Sequence, residues 1–263
     1  MRRVRFRADG TVYDGTVRDE ETFIAAGKQF ARESVTLLPP CMPTKIVATA
    51  MNSKEHVENI IGEEFPKPEL PTFFFKAPST IVAHGEPIEK PDVVEFLDYE
   101  AEIALVIGAE CSRVDADEAL EYLAGYTGFN DVSARDWAAT EESFGRSKSM
   151  DTFGPLGPFL QTELELPIGM ETRVNGEVRQ DADTSELMFG IRELIVEASR
   201  FFTLHPGDVI VTGTPPGTAG ESVPLDRWDE ETSDLALDVG DVVEIDVESV
   251  GTLRNEVTRA PHD

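Results

Sequence analysis

The chain has 263 residues, 51 of them acidic and 23 basic, which gives a formal net charge of −28 at neutral pH. This charge argues against nucleic acid and anionic membranes as partners, because both are themselves negative. Since 40% of the residues are hydrophobic, the acidity predicts a folded protein adapted to high salt rather than a disordered chain, and more stable in molar KCl than in dilute buffer.

The cysteine count and the hydropathy pattern bear on the cellular setting. Cys41 and Cys111 are the only cysteines, too few for a disulfide scaffold, so we expect a reducing interior. No apolar stretch approaches the 18 residues of a membrane-spanning helix. The first ten residues alternate basic and apolar side chains, which is typical of a strand rather than a signal peptide. These features predict a cytoplasmic protein.

The N-terminal part of the chain is predicted to be a small strand-rich unit, residues 1–44. Two short strands flank the Asp9-Gly10 turn, and a short helix is predicted over residues 21–32. The proline-rich stretch at residues 38–43 cannot form regular structure and marks a natural boundary. The main domain is then expected to occupy residues 45–263.

The main domain is predicted to open with a strand over residues 45–50 and a helix over residues 54–64. Ser53 is a plausible N-cap for that helix. His56 lies on the helix, where a histidine is more often a packing or surface residue than a catalyst. Prolines at positions 66, 68 and 71 end the helix and indicate a loop able to move.

The next predicted strand carries the most informative pattern of the chain. Residues 103–107 are apolar at every position, which is typical of a strand buried on both faces. Glu100 and Glu102 precede this run on one face, about 7 Å apart. Buried like charges are costly unless they are protonated, paired or bound to a cation. The pair therefore indicates either an oxygen-rich site for Mg²⁺, Mn²⁺ or Ca²⁺, or a solvated strand end in an acidic protein.

Two later segments carry further candidates. Asp131 follows an aromatic, glycine-containing strand and is either a third oxygen ligand or the cap of a helix starting at Ser133. A helix is predicted just before, over residues 116–123. Lys148 falls in the Gly/Pro-rich stretch 146–158, which by itself reads as a surface loop.

The C-terminal third alternates strands with one clear helix. Asn175-Gly176 predicts a hairpin turn, and residues 191–202 have the spacing of an amphipathic helix. A strand at residues 209–211 opens into the loop 212–217, whose glycines expose backbone N–H groups to an anion. The loop lacks the Gly-Lys-Ser/Thr sequence of a P-loop, which argues against a nucleotide.

Taken together, these segments resemble the fumarylacetoacetate hydrolase family over roughly residues 43–258. The order and spacing of short fragments carry the resemblance: Pro43-Thr44-Lys45-Ile46, Lys76-Ala77-Pro78-Ser79, the Glu100/Glu102 strand, Asp131 through Arg135-Asp136, Lys148 with Asp151-Thr152-Phe153 and Pro155-Leu156-Gly157-Pro158, Val174-Asn175-Gly176-Glu177, Gly207-Asp208 with Thr212-Gly213-Thr214-Pro215, and Gly251-Thr252-Leu253-Arg254-Asn255.

The resemblance implies an α+β fold, mainly β, in which a mixed β-roll with flanking helices follows the small N-terminal unit and the protein forms a homodimer. It implies a divalent metal, Mg²⁺ or Mn²⁺, with Ca²⁺ a possible substitute in crystals. The implied site residues are the metal ligands Glu100, Glu102 and Asp131, the catalytic residues His56 and Lys148, and the substrate-carboxylate loop at Gly213 and Thr214.

Family substrates are typically 2-oxo acids, whose carboxylate and adjacent carbonyl chelate the metal so that an enolate is stabilised. The resemblance therefore implies an enzyme for acylpyruvate-type acids or 2-oxo-dioates, acting by C–C bond hydrolysis, isomerisation or decarboxylation, as in the 2-hydroxyhepta-2,4-diene-1,7-dioate isomerase-like members. The alternative is a catalytically silent relative that only binds metal.

One stretch departs from the family pattern. Hydrolytic members often carry Asn-Tyr-x-x-His-x-x-Glu, a mobile lid whose His–Glu pair activates water. Here Ser53 replaces the tyrosine and Asn59 stands at the glutamate position. Glu58 is one residue out of register, and Glu63 lies two turns beyond His56. Hydrolysis therefore loses support relative to proton transfer or decarboxylation, unless Glu58 or Glu63 replaces the missing carboxylate.

Overall fold

The computed structural model describes residues 1–261. In chain order its strands and α-helices are β1 (Arg2–Ala8), β2 (Thr11–Asp19), β3 (Thr22–Ala25), β4 (Lys28–Ala31), β5 (Thr36–Leu38), β6 (Ile46–Ala50), α1 (Lys54–Ile61), β7 (Thr72–Lys76), β8 (Ile81–Val82), β9 (Ile88–Lys90), β10 (Leu97–Asp98), β11 (Ala101–Ile107), β12 (Leu123–Asn130), β13 (Ser133–Ala134), α2 (Arg135–Thr140), α3 (Gly145–Ser149), β14 (Gly154–Gln161), β15 (Gly169–Val174), β16 (Glu177–Asp183), α4 (Ile191–Phe201), β17 (Val209–Val211), β18 (Val242–Val247) and β19 (Gly251–Arg259).

Most strands belong to two sheets. The larger has the order β4-β3-β2-β1-β14-β12-β11-β17-β6-β7, with β5 on β1 and β8 on β14. The smaller has the order β16-β15-β18-β19-β9 and contacts β11, β12 and β14 of the larger sheet. Parallel and antiparallel pairs are mixed, since β17 runs parallel to β6 and antiparallel to β11. The fold is therefore α+β and mainly β, as predicted.

Strand β11 lies at the centre of the larger sheet, and all seven of its residues are buried. Its neighbours β12 and β17 both pair with it antiparallel. Because side chains on both faces pack against other elements, an uninterrupted apolar run is the sequence that this position requires. The prediction of a strand buried on both faces is confirmed.

The N-terminal strands correct one prediction. Residues 21–32 do not form a helix, because β3 and β4 form a hairpin there. Ala26 and Gly27 at its tip both have positive φ, 48° and 72°, which is the geometry of a tight two-residue turn. Strand β1 pairs with β14, so these strands extend the larger sheet. The division of the chain at residues 44 and 45 stays a prediction.

Some predictions for the remaining elements are confirmed and others are wrong. The amphipathic helix is confirmed as α4, and the Asn175-Gly176 hairpin joins β15 to β16. The predicted helix over residues 116–123 is wrong, because only a 3₁₀ turn, Ala119–Tyr122, precedes β12. The stretch 146–158 contains α3 and β14 instead of an extended surface loop. Among residues 1–261, no helix is long and apolar enough to cross a membrane.

Candidate active site

Three carboxylates meet where β11 begins and β12 ends. Glu100 precedes β11, Glu102 is its second residue, and Asp131 follows β12. Because Ala101 is paired with Asn130, the antiparallel ladder brings Asp131 beside the two glutamates. One carboxylate oxygen from each residue lies within 4.8 Å of the others, and all three side chains are buried.

Asp131 does not cap a helix at Ser133, as one alternative held. Residues 133 and 134 form the short strand β13, and α2 begins only at Arg135. The backbone N–H of Asp131 instead donates to the carbonyl oxygen of Glu100 at 2.8 Å, which fixes the two residues side by side. The carboxylate of Asp131 is thereby left for the cluster.

Buried basic side chains surround the carboxylates. Lys148 from α3 donates to Glu100 Oε2 at 2.5 Å and to Asp131 Oδ2 at 2.8 Å. Lys76 at the end of β7 donates to Asp131 Oδ1. Arg135 donates to Glu100 Oε1 at 2.5 Å. The surface-loop interpretation of Lys148 is wrong, because α3 points this side chain inward and leaves it only 6% exposed.

Glu102 differs from the other two carboxylates in its partners. Among residues 1–261 it forms no ion pair, and its hydrogen bond comes from the backbone N–H of Gly213 at 2.5 Å. Burial and the charges of Asp131 and Glu100 raise the pKa of Glu102 well above its ordinary value. Burial also acts on Glu100, but the charges of Lys148 and Arg135 lower the pKa of that residue to about 2.

The chemistry of the donors fits a divalent cation. Three hard carboxylate oxygens within 4.8 Å are the ligands preferred by Mg²⁺, Mn²⁺ and Ca²⁺. A cation bound there would offset the repulsion that raises the pKa of Glu102. Lys148 keeps its proton, since Asp131 and Glu100 outweigh the effect of burial and raise its pKa. Lys76 is held less firmly in the charged form, because burial lowers its pKa despite Asp131.

His56 lies on α1, lines the same cavity as the carboxylates, and is buried. Its Nδ1 lies 2.6 Å from Glu221 Oε1. Glu221 Oε2 accepts a hydrogen bond from Asn59 Nδ2 at 2.7 Å. The histidine therefore has a carboxylate partner, which comes from the distant 3₁₀ helix Ala219–Ser222 rather than from its own helix.

The loop after β17 supplies the two predicted substrate-binding residues. Gly213 has φ +93°, and a Cβ there would lie 2.8 Å from the Cβ of Asn52, so only glycine fits without displacing the start of the lid. Its N–H is used by Glu102 instead of pointing at an anion. Thr214 is buried on the cavity wall, and its Oγ1 accepts from Gln180 Nε2 at 2.9 Å.

One cavity of about 190 Å³ is lined by His56, Thr214, the three carboxylates, Lys148 and Arg135. The carboxylates, Lys148 and Arg135 form its charged end. The rest of the wall is largely apolar. It is built from α1, β7, the residue before α3 and the segment around residues 225–228: Val57, Ile60, Ile61, Phe74, Phe144, Leu225 and Trp228. A small anionic molecule with an apolar or neutral extension matches this division.

Sequence reasoning predicted some residues of this site and missed others. The cavity brings together His56, Lys148, the three carboxylates and Thr214, as the resemblance implied. Arg135 and Lys76 stood in recognised fragments but were not predicted as site residues. Glu221 was missed, because nothing in its local sequence distinguishes it from the other glutamates of an acidic chain.

Comparisons with known proteins show which family and which folds this chain resembles. The family profile described as fumarylacetoacetate (FAA) hydrolase C-terminal matches residues 45–258. A mitochondrial oxaloacetate tautomerase of Xenopus laevis is 36% identical over 86% of this chain and 70% of its own length. An oxaloacetate tautomerase of Bacillus subtilis is 37% identical over 82% of this chain and 70% of its own length. The crystal structure of 5-carboxymethyl-2-hydroxymuconate delta-isomerase from Mycobacterium smegmatis superposes with a TM-score of 0.86 at 34% identity, over 99% of both chains.

Proposed function

Because the chain belongs to the fumarylacetoacetate hydrolase family, we propose that it is a divalent-metal-dependent enzyme that acts on small 2-oxo acids. The observation that carries the proposal is the buried Glu100, Glu102 and Asp131 cluster, which shares a cavity with a histidine that has a carboxylate partner. A cation-binding carboxylate cluster and a base that line one small cavity are what enolate chemistry requires.

Each side chain has a role in this proposal. A divalent cation held by the three carboxylates would act as a Lewis acid on the 2-oxo carbonyl. Lys148, which keeps its proton, places positive charge beside the developing oxyanion. His56 takes a proton from the carbon next to the carbonyl, or returns one there. Thr214, which lies on the cavity wall, holds the substrate carboxylate, and Gly213 fixes Glu102 through its backbone N–H.

Isomerisation is the reaction that we propose first. Two relatives at 36–37% identity are named oxaloacetate tautomerases, and the structural neighbour at 34% identity is named a delta-isomerase. Both names describe the movement of a proton within a 2-oxo or 2-hydroxy acid, without cleavage of a carbon–carbon bond. A single base beside a cation site suffices for that chemistry, and this chain has His56 at that place.

Hydrolysis of a carbon–carbon bond is the second candidate, and one contact favours it. The sequence left the base without a partner, since Asn59 stands where the lid glutamate is expected. The 2.6 Å contact between His56 Nδ1 and Glu221 supplies a carboxylate from elsewhere. A histidine oriented in this way is able to activate water. The argument that the lid is impaired for hydrolysis therefore loses its basis.

The test is an assay of metal-loaded protein on three substrates: enol oxaloacetate, an acylpyruvate and a 2-hydroxydienedioate. We expect turnover of at least one with Mg²⁺ or Mn²⁺, and its loss with EDTA or in Lys148→Met. Consumption of enol oxaloacetate without release of pyruvate identifies a tautomerase, whereas pyruvate released from acylpyruvate identifies a hydrolase. Tight metal binding with no turnover of any of the three would contradict the proposal and identify a catalytically silent relative.

A further inference from the structure

We infer that a second cleft, between the N-terminal strands and the smaller sheet, binds a small dianion, a phosphate or a dicarboxylate, through Arg2, Arg32 and Arg254. This arginine cleft has a volume of about 440 Å³. The residues that line it are different from those that line the cavity of the carboxylate cluster. The inference therefore goes beyond the proposed function and does not depend on it.

The three arginines come from segments that are distant in the sequence. Arg2 is the first residue of β1, Arg32 begins the 3₁₀ helix that follows β4, and Arg254 lies in β19. Strand β1 belongs to the larger sheet and β19 to the smaller one. The packing of the two sheets thus brings these positive charges together in a chain whose net charge is −28.

The ring of Phe159 is shared by two of the arginines. The guanidinium carbons of Arg2 and Arg32 each lie 5.5 Å from the centroid of this ring. A guanidinium stacked on an aromatic ring is already ordered, so less conformational entropy is lost when it binds an anion. Two like charges at one ring also repel each other, and an anion bound between them would reduce that repulsion.

Arg32 is the arginine whose charge lacks a counter-charge. Among residues 1–261, its guanidinium forms no ion pair and no hydrogen bond, and its contact is the ring of Phe159. The side chain is half-buried at the cleft. A guanidinium presents five N–H donors in a planar fork, which matches the paired oxygens of a carboxylate or a phosphate.

The acids of the cleft are already engaged by other groups. They are Glu20, Glu244 and Asp246. Glu20 is 72% exposed at the rim and accepts from Arg2 Nη2 at 2.8 Å. Glu244 lies 3.6 Å from Arg254 Nε, and Asp246 accepts the Thr252 hydroxyl at 2.6 Å. The acids therefore neutralise two of the arginines in part and leave the third free.

Gly251 keeps the cleft open beside Arg2. Its φ is +114°, a backbone conformation that favours glycine. A Cβ at this position would lie 3.8 Å from the Phe159 ring and 3.9 Å from Arg2 Nη1. A side chain at position 251 would therefore occupy the space next to the guanidinium, whereas glycine leaves it to a ligand.

His84 on the wall of the cleft reports a positive potential there. Its Nδ1 accepts the backbone N–H of Arg254 at 3.2 Å, which holds the imidazole beside β19. Burial lowers the pKa of His84, and the charges of Arg32 and Arg254 lower it further. The acids of the cleft do not cancel the effect of the two arginines at this point. An anion that neutralised Arg32 would raise the pKa of His84.

The experiment titrates the Mg²⁺-loaded protein with inorganic phosphate, with succinate and with acetate, a monoanion. Ionic strength is held constant with KCl, so that general screening of the net charge is not mistaken for binding. Binding is followed by the imidazole NMR signals of His84, which a His84→Gln variant assigns. Arg32→Gln and Arg254→Gln each remove one charge from the cleft. Arg7→Gln is the matched control, an arginine of β1 outside the cleft, and Lys148→Met removes the ammonium of the catalytic cavity.

We expect phosphate and succinate to shift the His84 signals until they saturate, and acetate to bind more weakly. Saturation with succinate should raise the pKa of His84 and the melting temperature of the protein. Arg32→Gln and Arg254→Gln should each weaken binding at least roughly tenfold, on the scale of one charge-assisted contact. Arg7→Gln and Lys148→Met should bind as the wild type does. Tighter binding of phosphate would identify a phosphorylated ligand, and tighter binding of succinate a dicarboxylate.

Three results would overturn the inference. One is the absence of a saturable shift of His84 with either dianion. Another is unchanged affinity in both Arg32→Gln and Arg254→Gln, because the anion would then bind elsewhere; melting curves first establish which of the two variants are folded. The third is loss of binding in Lys148→Met, which would place the anion in the catalytic cavity. Each result is obtained without a turnover assay, so failure of the proposed function would leave this test intact.

Discussion

Two buried carboxylates on neighbouring strands, Asp208 and Glu102, have opposite surroundings. Asp208 precedes β17, Glu102 lies in β11, and the two strands pair with each other. Asp208 accepts hydrogen bonds from five donors: the backbone N–H groups of Thr44, Lys45 and His205, the Thr44 hydroxyl and the Lys45 ammonium. Within residues 1–261, Glu102 accepts one hydrogen bond, from the backbone N–H of Gly213.

The donors explain why the two pKa values move apart. Burial disfavours both charges, but the hydrogen bonds from Lys45, His205 and Thr44 more than offset it and lower the pKa of Asp208. Burial and two neighbouring carboxylates raise the pKa of Glu102. A buried acid that accepts hydrogen bonds from several donors holds strands and loops together. A buried acid without an ion-pair partner is instead suited to bind a cation.

Removal of the ligand carboxylate gives the largest expected effect. Glu102→Ala should lower metal-dependent turnover by roughly 1,000-fold, on the scale of losing one essential group. The fold should persist, because no ion pair is broken. Activity with added Mg²⁺ measures the loss of turnover, and the melting temperature shows whether the fold is retained. Full Mg²⁺ dependence in this variant would mean that Glu102 is not a ligand.

The opposite pattern is expected at Asp208. Asp208→Ala leaves several buried donors without an acceptor and should cost about 3 kcal/mol of the free energy of unfolding. For a chain of this size, that lowers the melting temperature by roughly 5–10 °C. Mn²⁺ affinity, measured by titration below that temperature, should match the wild type. A variant as stable as the wild type would remove the distinction drawn between the two acids.

The free energy of unfolding should depend on pH in opposite directions for Asp208 and Glu102. The folded pKa of Asp208 is lowered, so its contribution is present above its unfolded pKa and is lost as pH falls through the folded value. The folded pKa of Glu102 is raised, so metal-free protein should lose stability as pH rises above about 4.3, by at most about 1.4 kcal/mol per pH unit. Denaturant unfolding in EDTA between pH 4.5 and 8 tests this, with Glu102→Gln as the variant in which the alkaline loss should disappear. Parallel curves for the two proteins would contradict it.

Sequence patterns correctly predicted the elements that are determined by their own residues. The buried run of β11, the Asn175-Gly176 turn and α4 each follow from their own residues. The hairpin at residues 22–31 was mistaken for a helix because each of its strands has only four residues and its Ala26-Gly27 turn lacks the Asn-Gly or Asp-Gly signal of a hairpin. High-salt adaptation, the homodimer and the cytoplasmic setting stay predictions.

The candidate site was harder to predict, because its residues come from segments that are distant in the sequence. Strand alternation placed Glu100 and Glu102 on one face, but Asp131 joins them only through the register of β11 and β12. Resemblance to a family supplied Lys148, against a local sequence typical of a surface loop. Glu221 was not found by either method, since its local sequence gives no signal and it lies between the recognised fragments that end at Pro215 and begin at Gly251.

The hydrogen bond from Asn59 to Glu221 also constrains how the sequence of this chain is able to change over its descent. A glutamate at position 59 would face the acid already present, and the loss of that acid alone would leave the histidine without a partner. An exchange of the acid and the amide between positions 59 and 221 thus passes through either two carboxylates or two amides within hydrogen-bond distance. Neither intermediate keeps an acid and a donor together, so each position makes a change at the other harder to accept. Ancestors and descendants of this chain should therefore alter residues 59 and 221 as a pair.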